Sequence, residues 1–197
     1  MSKARILNSL VAEALDRITP RRKCFISYFS EDIDQVREFL KDYGDVFIPK
    51  EIGVSDADDF IDSTNTDYVM SKIRGIYLDD STVTICMIGS CTHHRRYIDW
   101  ELKSSLRQGN YTPNGLVGIL LPGIKHHHLP PRFNDNWNEE DESFAYAILR
   151  EYPKTEIELR SWIEEAFSRR STHADLIVNS RLRLLNNRKC LIHKETH

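Results

Sequence analysis

Glu101 stands four residues after Tyr97, so in a helix the ring and the carboxylate share one face. A carboxylate beside an aromatic suits stabilisation of a positively charged sugar transition state. On spacing alone a second reading stays open, in which Glu101 is a surface residue paired with Arg96 or Lys103. Cys91 sits at a predicted helix start, where a thiol pKa falls, but no His and Asn partners are placed to make it a nucleophile. His93 and His94 follow it, as polar capping residues or as ligand contacts. His126, His127 and His128 are adjacent; three successive histidines do not converge on one ion in most backbones, and no Cys or Asp cluster flanks them. A solvated loop and no metal are expected there. The acidic run 138–142 reads as a solvated loop too. No Walker A loop, G-x-G-x-x-G or H-E-x-x-H occurs, so the strong nucleotide and zinc motifs are absent.

These residues must be positioned by strands and helices that alternate along the chain. An amphipathic helix at 5–18 (Ile6, Leu7, Leu10, Val11, Ala14, Leu15, Ile18) ends at Thr19-Pro20. It packs on the domain or forms an oligomer contact. Cys24 to Tyr28 is rich in strand formers. Ser30 is predicted as the N-cap of a helix whose first turn carries Glu31, Asp32 and Asp34 and whose stripe is Ile33, Val36, Leu40 and Tyr43, with Phe39 offset. Gly44 is expected at its C′ position. Val46 to Ile48 is a second strand, stopped by Pro49. A polar stretch at 50–66 leads into a helix carrying Tyr68 to Ile76.

Thr82 to Ile88 is the clearest strand, apolar enough to be buried on both faces. A helix from about His93 to Gln108 is closed by Gly109, and Leu116 to Leu121 is another central strand. A polar loop spans 122–142, and Phe144 to Leu149 is a short edge strand. Thr155 and Glu158 form a capping box opening a helix through Phe167. A final helix is predicted from Ser171 to Asn187, with Leu176, Ile177, Leu182 and Leu185. This alternation implies parallel pairing through right-handed crossovers. The fold class expected is α/β: a flavodoxin-like three-layer sandwich around a five-stranded parallel sheet. Ligands in such sheets bind beyond the strand C-termini where the strand order reverses, which directs attention to loops 28–32, 49–62, 89–97 and 122–142. The division expected is a helical extension at 1–20, one α/β domain at 21–170, and a C-terminal helix and tail at 171–197.

Composition narrows the function classes. The 197 residues are 40% hydrophobic and 29% charged, a globular mixture. Net charge is −3, so no basic excess draws the chain to nucleic acid. No apolar run approaches the roughly 20 residues that cross a bilayer. Cysteines at 24, 86, 91 and 190 lack C-x-x-C spacing, and two lie in apolar strands. A reduced, cytosolic protein without membrane or nucleic-acid partners is expected.

Three blocks carry a family resemblance. Cys24-Phe-Ile-Ser-Tyr-Phe-Ser-Glu-Asp32 resembles the opening strand and loop of TIR-like domains. Ser81-Thr-Val-Thr-Ile-Cys-Met-Ile-Gly-Ser90 is similar to their third strand, and Arg95-Arg-Tyr-Ile-Asp-Trp-Glu-Leu102 to the helix in which an aromatic precedes the catalytic glutamate by four residues. The blocks occur in family order, and within the superfamily they are most similar to the TIR subunits of bacterial Thoeris anti-phage systems. The resemblance implies an NAD+ glycohydrolase or ADP-ribosyl cyclase, with NAD+ as substrate and no further cofactor. Glu101 takes the catalytic place, and Tyr97 that of the stacking aromatic, where Trp is commoner. Tyr28, Phe29 and Ser30 fall on the loop that meets the diphosphate, and Ser90 is within reach of the nicotinamide ribose. The implied partner is an effector protein that senses a diffusible ADP-ribose-derived product; self-assembly into a homo-oligomer completes the site in many such enzymes. A non-catalytic TIR-type interaction module is the competing reading.

Overall fold

The computed structural model describes residues 20–50, 78, 80–124 and 128–190. The helices predicted at 5–18 and at Tyr68 to Ile76, the stretch 51–66, and His126 and His127 lie outside the described residues.

Five strands form one all-parallel sheet in the order β2-β1-β3-β4-β5. They are β1 (Lys23–Ser27), β2 (Ile48–Pro49), β3 (Val83–Ile88), β4 (Gly115–Leu120) and β5 (Ile148–Arg150). The flavodoxin-like order predicted from the alternation is therefore present, and its direction reverses between β1 and β3. Central β3 and β4 are buried at every position, which is why they read as continuous apolar runs. β2 begins later than predicted and includes Pro49. The proline is tolerated because β2 is an edge strand: Ile48 and Lys50 donate the ladder hydrogen bonds to β1 and flank it.

Helices cover both faces, and strand alternation decides which residues each face receives. Cys24, Ile26, Val83, Ile85, Met87, Val117 and Ile119 pack against α1 (Ile33–Tyr43) and α4 (Glu156–Thr172), through Val36, Phe39, Leu159, Ile163 and Ala166. Phe39, offset from the stripe in sequence, is fully buried there. On the other face Cys86, Ile88, Leu116 and Leu120 meet α2 (Arg96–Ser105) and α3 (Pro131–Asn134) through Ile98, Leu102 and Phe133. A Cβ at Gly118 would meet the Phe133 ring at 2.5 Å, so glycine there lets the aromatic lie directly on the sheet. The capping box formed: Thr155 Oγ1 accepts from the Glu158 amide, and the Glu158 carboxylate accepts from the Thr155 amide.

Three local expectations are corrected. Ser30 opens a short 3-10 turn (Ser30–Asp32) and caps nothing; α1 begins at Ile33 with Asp32 as its N-cap residue. Gly44 has φ −60°, a right-handed helical end rather than the left-handed C′ conformation.

The third correction is larger. Beyond α4 a 3-10 turn (Ala174–Leu176) leads into an irregular strap at 177–190, where a helix was predicted to Asn187. Leu182 is 88% and Leu185 74% exposed, so their helical spacing marks no buried stripe. The strap's backbone bonds to distant side chains instead. Asn136 accepts from the Val178 amide and donates to its carbonyl. Lys103 and Arg132 donate to Arg181 O, and Trp100 Nε1 donates to Leu184 O at 2.7 Å. Groups satisfied this way are unavailable for i to i−4 bonding, and tertiary contact overrides local propensity.

Candidate functional site

α2 follows β3 and leans on the sheet where the strand order reverses. Ile98, Leu102 and Leu106 anchor its apolar side, and that placement turns Glu101 inward rather than toward solvent. Ser27, the last residue of β1, pairs in register with Cys86 of β3. The Glu101 carboxylate lands on this pair: Ser27 Oγ donates to Oε2 at 2.6 Å, and Glu101 is only 1% exposed. Burial pushes the Cys86 thiol well up, and the adjacent Glu101 carboxylate pushes it further. The surface-glutamate reading is thus excluded by geometry. A polar chain fastens the helix here, since Ser105 Oγ donates to Glu101 O while sharing a 2.7 Å hydrogen bond with Thr84, and Asn114 donates to Thr84.

The other predicted site residues gather around the same rim with different surroundings. Tyr28 faces the α1 side and packs in that core. Phe29 is buried with the Arg95 guanidinium 3.5 Å above its ring, a cation–π stack. Ser30 starts the turn that leads into α1, and Ser90 lies half-buried just past β3. Tyr97, one turn before Glu101 on α2, is half-buried; its ring meets Trp100 edge-on at 5.3 Å, and Arg96 donates to its hydroxyl at 3.1 Å. Ser27 and Glu101 are brought into direct contact; Tyr97 packs toward Trp100 and Arg96.

Two features escaped the sequence. Asp32, assigned to the helix dipole, turns back over the loop after β3. A Cβ on Gly89 would come within 2.1 Å of its carboxylate, so the absent side chain at 89 is what admits it. Desolvation, then the neighbouring Glu31, pushes Asp32 up to about 6, against the opposing pull of Thr92 and Arg95. Its only signal in sequence is position, at the first loop beyond β1. The second feature is Ser27 itself, whose small hydroxyl in an otherwise apolar strand is the visible cue.

Cys91 does not present an activated thiol. Burial, then hydrogen bonding to Cys190, pushes it up to about 12, outweighing the turn it precedes. His93 is held below its ordinary value by burial and by His128, whose ring lies 5.5 Å away. One donor atom each from Cys91, His94 and Cys190 lies within 4.8 Å of the others.

A family model described as Thoeris protein ThsB, TIR-like domain, matches residues 25–126. The chain belongs to this family. The match runs from β1 through β4, just over half of the chain, and contains Ser27, Asp32, Ser90, Tyr97 and Glu101. β5, α4 and the strap lie beyond it. Comparison with curated proteins yields no match. The Thoeris-type TIR fold expected from the three sequence blocks is thus shown, and with it a domain of the anti-phage TIR kind. Among the described residues no helix is long and apolar enough to cross a membrane.

Proposed function

We propose that this Thoeris-type TIR domain cleaves the nicotinamide–ribose bond of NAD+, releasing nicotinamide and an ADP-ribose-derived product that signals to an effector protein. The observation that carries the reading is the Glu101 carboxylate held by Ser27 between β1 and β3, where doubly wound sheets bind their ligands. The bond to be broken joins a cationic pyridinium to a ribose carbon. Nicotinamide departs as a neutral base and needs no general acid, while positive charge spreads over the ribose ring. A carboxylate against that ring stabilises the charge and accepts a hydrogen bond from a ribose hydroxyl. Ser27 keeps one carboxylate oxygen oriented from the end of β1.

Tyr97 is the aromatic beside the leaving base, Tyr28, Phe29 and Ser30 border the diphosphate, and Ser90 borders the ribose. Arg95, stacked on Phe29, supplies a cation to that loop. Water as acceptor gives ADP-ribose and a proton; a nucleophile on the substrate's own adenosine half gives a cyclic product.

Glu101 at 1% exposure is a closed state, so substrate enters as the rim opens, and self-assembly is the event proposed to open it. The test is NAD+ incubation with the full chain, alone and with infected-cell lysate, read by mass spectrometry. Release of nicotinamide with an ADP-ribose-derived partner supports the reading; its absence in both conditions overturns it. The same closure favours a second reading, a non-catalytic assembly module. Thermal stabilisation by NAD+ or ADP-ribose separates the two, since a module without the site gains none.

A further inference from the structure

Cys91 and Cys190 are 99 residues apart in the chain, yet their buried Sγ atoms lie 2.9 Å apart. Both are thiols rather than a disulfide. His94 completes a triangle of donors within 4.8 Å of one another. The backbone builds this convergence. Cys91 immediately precedes the 3-10 turn Thr92–His94, which brings His94 round beside it. The strap is tied to the same turn by two hydrogen bonds, Arg188 N–H to His94 O and Arg96 N–H to Asn187 Oδ1, each 3.0 Å. Those bonds deliver Cys190 two residues later.

Two thiolates and an imidazole are soft and borderline donors that suit zinc and do not suit magnesium or calcium. Around a tetrahedral zinc, bonds of about 2.3 Å to sulfur and about 2.0 Å to nitrogen set the donor atoms roughly 3.5–3.8 Å apart. The observed range, 2.9 to 4.8 Å, brackets that separation, so small side-chain rotations seat the ion. A zinc with two thiolates is neutral overall, which suits a buried spot clustered with Phe29. Cys91-Thr-His-His94 and Cys190-Leu-Ile-His193 share one Cys-x-x-His spacing. His193 lies outside the described residues.

We propose that Cys91, His94 and Cys190 bind one zinc ion that pins the C-terminal strap to the loop after β3. Binding releases the two thiol protons to solvent. Because Phe29 shares a buried cluster with both cysteines, the ion also braces the loop after β1. The proposal does not rest on NAD+ cleavage, and a catalytically silent chain would bind zinc equally.

The full chain, purified under reducing conditions without chelator, is assayed for metal by plasma mass spectrometry and then exchanged with cobalt. One zinc per chain is expected, with cobalt giving a near-ultraviolet sulfur-to-metal charge-transfer band and the visible bands of tetrahedral geometry. Cys91→Ser and Cys190→Ser each lose stoichiometric binding, and circular dichroism reports whether they remain folded. Wild-type protein that holds no stoichiometric zinc and gives no charge-transfer band overturns the proposal. So does metal-free protein two hydrogen masses light, which would make the sulfurs a disulfide pair. The deciding readouts come from the unmutated chain.

Discussion

Two buried carboxylates on α2, at Asp99 and Glu101, face opposite regions of the molecule. Asp99 turns to the strap and receives a forked guanidinium: Arg132 Nε to Oδ1 at 2.9 Å, and Arg132 Nη2 to Oδ2 at 3.3 Å. The Leu184 amide adds a third donor, and Arg132 reaches on to Asn179 and Arg181. That carboxylate is neutralised, and it fixes a chain segment. Glu101 turns to the sheet and receives the Ser27 hydroxyl, a donor without charge. Burial alone therefore does not mark a reactive group. These partners differ in kind: the forked guanidinium stabilises the ground state of Asp99, whereas the Ser27 hydroxyl orients the Glu101 carboxylate.

The largest effect expected is on the strap side. Arg132→Ala strands Asp99 in the interior and removes one of the two donors to Arg181 O, costing about 3–5 kcal/mol in denaturant unfolding. A loss below about 1 kcal/mol would show that Asp99 is solvated after all. Ser27→Ala comes next: a buried acceptor loses one donor, and about 1–3 kcal/mol is expected by the same measurement. If Ser27→Ala equals Arg132→Ala, the contrast between the two carboxylates fails.

The smallest effect concerns Asp32 and appears as a pH slope. Its pKa in the fold, about 6, lies above the ordinary value of 3.8, so the folded chain binds this proton more tightly than the unfolded one. The associated stability is fully present below about 4 and is lost as pH rises through about 6. Asp32→Asn abolishes that decline, so unfolding free energies on either side of the window differ less than in the wild type. Equal slopes for the two proteins would contradict the burial of Asp32.

Much of the architecture was legible because it is local. β3 and β4 announce themselves as apolar runs, and Thr155 with Glu158 names a helix start through bonds spanning three residues. The helix carrying Glu101 was legible for the same reason, since strand, loop and helix are consecutive; spacing left a surface reading of Glu101 open because its partner Ser27 lies 74 residues away. What escaped depends on long separations. The 177–190 strap keeps helix-like spacing yet is held by Trp100, Lys103, Arg132 and Asn136, whose donors no local pattern reveals. Asp32 stands at a helix start as expected, but its approach to Gly89 escaped because Gly89 lies on another strand's loop. The convergence of Cys91 and Cys190 escaped because one of the three cluster members comes from the far end of the chain.

The central claim is tested most directly by nicotinamide release from NAD+ with Glu101→Gln beside the wild type, under whatever condition activates the latter. Glutamine keeps an oxygen for Ser27 and fills the same space, and circular dichroism checks that the variant is folded. Its rate is expected to fall at least about 100-fold, the usual scale for removing one charge-stabilising group. A folded Glu101→Gln protein that releases nicotinamide at the wild-type rate would contradict the account.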